Sequence, residues 1–298
     1  MSASPALQAA LAEIATEIDA RFDQFLAVPD DPRADLYRAM RHAAIGGGKR
    51  LRPLLVYATA QIFGCDRDCI ARVGTAIEAI HVYSLIHDDL PAMDDDDMRR
   101  GKPTVHKAFD EATAILAGDS LQALAFEILA DPATHPDPFV RAELTLDLAR
   151  AAGPAGMCGG QAMDLGAARA GFDLAMVGRL QALKTGALIA TSVEAGAILG
   201  RVAPEGRTGL RGYARDIGLA FQIVDDLLDV EGDEAAAGKK LRKDADAGKE
   251  TFVSLLGIEP ARKRSRLLID QAIAHLRHYG READLLRDIA RFVLERDR

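Results

Sequence analysis

Phe221-Gln222-Ile223-Val224-Asp225-Asp226-Leu227-Leu228-Asp229 sets two carboxylates, Asp225 and Asp229, four residues apart in an otherwise apolar run. A helix places both on one face, about a turn apart. In water their repulsion costs only a few tenths of a kcal/mol. Among apolar neighbours, uncompensated carboxylates cost several kcal/mol each. A bound cation is the economical explanation, and the segment reads as a largely buried helix with other helices packed around it.

A second acidic cluster stands far upstream, in His87-Asp88-Asp89-Leu90-Pro91-Ala92-Met93-Asp94. Asp88 and Asp94 are six apart, roughly 240° around a regular helix, and cannot share a face there. Pro91 disfavours continued helix at Leu90 and predicts a bulge that swings Asp94 back beside Asp88. Oxygen ligands of this kind facing phosphates suit octahedral Mg²⁺ that keeps several waters. A run such as Asp94 to Asp97 is by itself the composition of a solvated loop, and the spacing of a calcium-binding helix-loop-helix is absent. Two such clusters, similar in kind, point instead to two helices facing each other across a bundle cavity.

The rest of the chain agrees. Ala and Leu far outnumber β-branched residues, and apolar positions recur at helical spacing. Helices are expected over about 5–27, 34–44, 51–63, 67–90, 110–130, 137–152, 172–200, 208–230 and 256–298. No domain boundary or fixed-period repeat interrupts them, so the expectation is one all-α domain over residues 1–298, a helical bundle around a central cavity. The net charge of −8, from 45 acidic and 37 basic residues, argues against nucleic acid as a partner. Cys65, Cys69 and Cys158 lack the second Cys/His pair of a zinc site and read as reduced structural thiols. No eighteen apolar residues run without a charge, so no integral membrane association and a cytoplasmic protein are expected.

Three joints are richer than connections need. Gly46-Gly47-Gly48-Lys49-Arg50-Leu51-Arg52-Pro53 gathers backbone amides and cations at one helix start, which suits a diphosphate. It is not a Walker loop, because Ala43 stands where that loop needs Gly and Arg50 where it needs Ser or Thr. Arg99 and Arg100 follow the first acidic run, and adjacent side chains on a turn can serve two different anions. His81 lies two turns before Asp88, either in a pocket wall or in ordinary core. Glu231 to Lys249, carrying Lys239 and Lys249, is either a cover that closes over phosphates or a surface loop. Lys184-Thr185-Gly186 interrupts an apolar helix and exposes a carbonyl and a hydroxyl inside it. Gln222, one turn before Asp226, adds an amide oxygen.

At these residues the chain resembles the trans-isoprenyl diphosphate synthases over nearly its whole length. The carriers are Gly47 to Pro53, His81 through Asp94 to Thr104, Gly160-Gln161 with Asp164-Leu165, Lys184-Thr185, and Phe221 to Asp229. The resemblance implies three Mg²⁺ ions, two on Asp88 and Asp94 with Asp164 nearby and one on Asp225, with Asp89, Asp226 and Asp229 linked through water. It implies an isopentenyl diphosphate site at Gly48, Lys49, Arg52, His81 and Arg100. It implies an allylic diphosphate site at Arg99, Lys184, Lys239 and Lys249. Thr185 and Gln222 fall where the family steadies a developing carbocation, and a homodimer is implied as well. Arg242 departs from the Gly common in relatives, which bears on how the 231–249 segment closes.

Such a site ionises an allylic diphosphate and adds five carbons from isopentenyl diphosphate. Tyr83, five residues before Asp88, lies about 7–8 Å deeper along a helix at ~1.5 Å per residue. Family members with an aromatic residue there and the Pro-containing insertion stop at C15, so farnesyl diphosphate is the expected product; Ser84 beside it is small. The alternatives are a C10 or C20 synthase, a terpene cyclase, and a non-catalytic partner subunit.

Overall fold

In the computed structural model, which describes residues 4–231 and 249–295, the all-α expectation holds. The helices are α1 (Pro5–Phe25), α2 (Ala34–Ala44), α3 (Leu51–Ile62), α4 (Arg67–Asp88), α5 (Val105–Ala108), α6 (Glu111–Ala130) and α7 (Pro138–Ala152). There follow α8 (Met157–Ala170), α9 (Leu174–Gln181), α10 (Ala187–Leu199), α11 (Thr208–Glu231), α12 (Phe252–Leu256), α13 (Ile258–His275) and α14 (Asp284–Glu295). Strands among the described residues are confined to a two-residue antiparallel ribbon, β1 (Met98–Arg99) with β2 (Lys102–Pro103).

Local chemistry starts the helices where they start. Asp66 accepts from the amides of Asp68 and Cys69 to open α4, Asp110 accepts from Thr113 to open α6, and Asp137 with Pro138 opens α7. Thr251 and Ser254 form a reciprocal capping box at α12. Two boundaries differ from the sequence expectation. The segment 153–171 holds a full helix, α8, despite Gly153, Gly156, Gly159, Gly160 and Gly166. The expected helix 256–298 is divided at Gly257 and Gly280 into α13 and α14, preceded by the short α12.

α4 packs on α6 and α3, α10 on α3 and α7, and α11 on α13 and α10. One contiguous apolar core runs from Leu7 to Val293, with Leu54, Leu55, Ile77 and Ile80 fully enclosed. Each such side chain contributes about 2 kcal/mol by leaving water. Three stretches, 67–88, 111–130 and 174–199, are long and apolar enough to cross a membrane by composition. For α4 the apolar content is spent inward, since 78% of its window is buried; for α6 only 39% is. α6 therefore keeps an apolar outer face.

Candidate active site

α4 ends at Asp88, and the chain then folds back as Pro91 predicts. The Leu90 amide donates to the His87 carbonyl and the Asp95 amide to the Leu90 carbonyl. The Asp94 amide donates to the Asp88 carbonyl at 2.9 Å, so Asp94 returns to Asp88 as the spacing argument required. Burial pushes the Asp88 carboxyl up to about 6 against the pull of Lys184, and Asp94 adds to the rise. The Gln161 amide, on α8, donates to Asp88 Oδ1 at 2.8 Å.

Asp89 faces away from this pair. It is 3% exposed and accepts from Arg99 Nε at 2.6 Å, with Asp96 3.4 Å from the same guanidinium. Burial raises its pKa, and the Arg99 hydrogen bond works against that rise. Beyond it, Arg100 and Gly101 both take positive φ, 52° and 76°, and form the tight turn of the ribbon. The two neighbouring guanidiniums diverge. Arg99 goes to the aspartates, whereas Arg100 reaches His81, with Nη2 3.5 Å from Nε2.

Arg100 also lies over the glycine-rich turn. Gly48 has φ +82°, and a Cβ there would stand 2.6 Å from the Arg100 guanidinium carbon, so only glycine fits. Arg52 is in the first turn of α3, and its Nε is buried without a hydrogen-bond partner. Burial, with Arg100 adding, lowers its pKa, while Glu78 opposes. Burial and then Arg52, Arg100, Arg50 and Arg99 hold His81 well below the ordinary imidazole range, so its ring is neutral. Lys49 Nζ lies 5.6 Å from the centre of the Phe292 ring on α14. An orphaned guanidinium donor among mutually repelling cations has the chemistry of an anion pocket.

On the other side of Asp88, residues 182–186 form one π-helical turn between α9 and α10. Lys184 and Thr185 sit in it, as the interruption expected there required, and such turns mark functional sites. Lys184 Nζ and Lys249 Nζ both donate to Asp164 Oδ2, at 2.7 and 2.9 Å. Burial raises the Asp164 pKa, but the two lysines outweigh it and hold the carboxyl below its usual range. This approach exists because residue 160 is glycine, where a Cβ would fall 2.2 Å from the Lys184 amide nitrogen.

The second motif sits on α11. Asp225 and Asp229 are half-buried on one face, and Gln222 is 7% exposed. Asp226 turns inward and accepts from the Phe252 amide at 2.8 Å, holding the start of α12 just beyond Lys249. Tyr83 is 5% exposed below Asp88, with its hydroxyl 3.4 Å from Cys158 Sγ and its ring edge-on to His87 at 5.7 Å. Burial raises its pKa. The Ser84 hydroxyl returns to the His81 carbonyl. Lys239, Arg242, Arg296 and Arg298 lie outside the described residues.

Sequence reasoning left several contributors without a role. Arg50, counted among the cations of the glycine-rich joint, points into the protein, 2% exposed. Cys158 is exposed and touches Tyr83 rather than lying in the core. Gln161 grips Asp88. Composition and spacing do not distinguish Arg50 from Arg52, because both follow the same glycines; only the family resemblance picked out Arg52.

The donor set fits divalent cations. Asp88 and Asp94 adjoin, Asp88 is buried with a raised pKa, and Gln161 Oε1 beside it is buried without a hydrogen-bond partner. Among the described residues no three His, Cys, Asp or Glu side chains already converge as a closed metal cage. That is the pattern of a cation that takes one or two carboxylates and completes its shell with phosphate and water.

Residues 33–288 match the Polyprenyl synthetase family. The farnesyl diphosphate synthase of Escherichia coli (strain K12) is 46% identical over 283 residues, covering 92% of this chain and 94% of the relative. That of Geobacillus stearothermophilus is 43% identical, covering 89% of each. Among solved structures, an apo FPP/GFPP synthase from Zymomonas mobilis is 57% identical with a TM-score of 0.88, covering 97% of this chain and 98% of that one. With a divided acidic and basic site of this form inside an all-α bundle, the chain belongs to the polyprenyl synthetase family and is a prenyltransferase.

Proposed function

We propose that this single-domain enzyme condenses isopentenyl diphosphate with dimethylallyl or geranyl diphosphate to give farnesyl diphosphate. The observation that carries the reading is the Arg99–Arg100 turn. Its two guanidiniums diverge, one to the aspartates and one to His81 and the glycine-rich turn, which supports a separate anion for each.

The allylic diphosphate lies between Asp88/Asp94 and Asp225/Asp229, with Arg99, Lys184, Lys249 and Lys239 on its oxygens. Asp88, Asp94, Asp164 and Asp225 would hold Mg²⁺, three ions in all, which when bound would supply Lewis acidity at the leaving diphosphate. Lys184 and Lys249, which donate to Asp164, add positive charge for the leaving group as its own charge grows. The Thr185 hydroxyl and Gln222 amide oxygen present dipoles to the allylic cation. Lys49, Arg52, Arg100 and neutral His81 hold isopentenyl diphosphate so that its double bond meets that cation. The proton lost afterwards goes to the departed diphosphate, since no side-chain base is needed.

Tyr83 closes the cavity at C15. Its hydroxyl meets Cys158 and its ring packs edge-on to His87, whose Nε2 is tied to the Ile115 carbonyl at 3.1 Å. α6 and α7 expose Ile115, Leu116, Phe139 and Leu146, the last two 82% and 50% accessible, and a second copy of the chain covers this face in a cytoplasmic homodimer.

A mass-resolved assay with geranyl diphosphate and isopentenyl diphosphate, with and without Mg²⁺, tests the reaction. C15 product that vanishes on chelation is expected. No incorporation of isopentenyl carbon rules the condensation out in favour of a cyclase or a non-catalytic subunit. Tyr83→Ala should lengthen the product; unchanged length refutes the floor.

A further inference from the structure

The loop joining α2 to α3 is wound around a buried ion cluster. Arg50 takes the left-handed conformation, φ 48°, and its guanidinium turns back under the loop. Nη1 donates to Glu78 Oε1 on α4 at 2.9 Å, and Nη2 to Asp19 Oδ1 on α1 at 2.6 Å and to the Ala44 carbonyl. Asp19 uses its other oxygen for the Gly46 amide at 3.0 Å, so one carboxylate ties both ends of the glycine run. The Phe22 ring, 5.7 Å from the Arg50 guanidinium, closes the cluster from α1. The Arg50 and Glu78 side chains are 1% and 2% exposed, and Asp19 is 31% exposed.

We propose that Asp19, Arg50 and Glu78 are positioning residues for the isopentenyl diphosphate pocket, fixing where Lys49 and Arg52 stand relative to Arg100 and His81. This rests on the reading that those four residues hold that substrate. Arg50 precedes the first residue of α3, and its carbonyl accepts from the Leu54 amide at 3.0 Å. The conformation of Arg50 therefore sets the direction in which Arg52 leaves the loop. Gly48, pressed under Arg100, leaves the loop no room to shift without moving that guanidinium. Charge works in the same sense. Lys49, Arg52 and Arg100 repel one another, and the cluster beneath carries one cation and two anions, so it offsets part of that repulsion before substrate arrives. Three acceptors at fixed angles require the planar fork of arginine, which lysine does not supply.

Arg50→Met strands Glu78 in a buried site and can unfold the chain. The half-exposed Asp19 therefore carries the test, in folded protein confirmed by thermal unfolding. Asp19→Ala should raise KM for isopentenyl diphosphate about tenfold, with kcat and KM for geranyl diphosphate within about twofold. Asp19→Asn, whose single amide oxygen can accept from only one of the two donors, Arg50 or the Gly46 amide, should give a smaller rise than Asp19→Ala. Arg52→Ala is run alongside. If Arg52→Ala raises that KM and Asp19→Ala does not, or if Asp19→Ala raises both KM values together, the positioning role is overturned. If Arg52→Ala also leaves it unmoved, the assignment of the pocket falls as well.

Discussion

The two aspartate motifs, at the end of α4 and on α11, are built differently. On α11 the geometry is regular: Asp225 and Asp229 share a face one turn apart, and Asp226, behind them, holds the Phe252 amide. At the end of α4 the helix has to break, and Asp94 returns to Asp88 through the Pro91 bulge while Asp89 turns back to Arg99. In both motifs the middle aspartate holds another part of the protein, Asp89 the Arg99 guanidinium and Asp226 the Phe252 amide. The difference lies in what the middle residue organises. Asp89 holds the guanidinium of Arg99, whereas Asp226 anchors a helix start three residues beyond Lys249.

Breaking the outer pairs should have the largest effect. Asp88→Asn or Asp225→Asn should lower kcat about a thousandfold with the fold intact, measured by single-turnover product formation. A loss under tenfold in either removes that motif from the chemistry. Asp89→Ala leaves Arg99 without its buried partner and should raise KM for the allylic diphosphate at least about thirtyfold, with Mg²⁺ dependence of rate unchanged. A shifted Mg²⁺ dependence places Asp89 among the cation's ligands instead.

Asp226→Ala removes a charged acceptor from a buried amide and should cost about 2 kcal/mol in urea unfolding, with a smaller rise in KM as Lys249 loosens. A collapse of kcat comparable to that of Asp225→Asn erases the contrast between middle and outer residues.

The smallest effect is in pH. Asp88 goes from an ordinary value of 3.8 to about 6 in the fold, so the folded chain binds its proton more tightly than the unfolded one. Its burial is without cost below the unfolded value and destabilises increasingly as pH rises through 6. In chelator, Tm of the wild type should fall from pH 4 to 7, and Asp88→Asn should flatten that slope. An unchanged slope means Asp88 is better compensated than its burial implies.

Much of this was legible in the chain. The start of α4 at Asp66, the bulge at Pro91, the one-face pair on α11 and the interruption at Lys184 all follow from local spacing and backbone restriction. α8 was not legible, although it carries Gln161 and Asp164. Its glycines lower helix propensity, and the reason for Gly160 is the backbone of Lys184, brought alongside by packing of distant segments. Local spacing does not separate Arg50 from Arg52 either, and only the family resemblance picked out Arg52; the inward turn of Arg50 depends on Asp19 and Glu78, 31 and 28 residues away.

The sequence by itself determined an all-α chain, two acidic helix ends and a basic glycine-rich turn, because helix periodicity, proline and glycine act over a few residues. Only the tertiary structure decided which charges face the cavity and which are consumed inside the protein. A buried charge takes whichever partner the packing brings within hydrogen-bond reach, and that partner is set by the fold rather than by its neighbours in the chain.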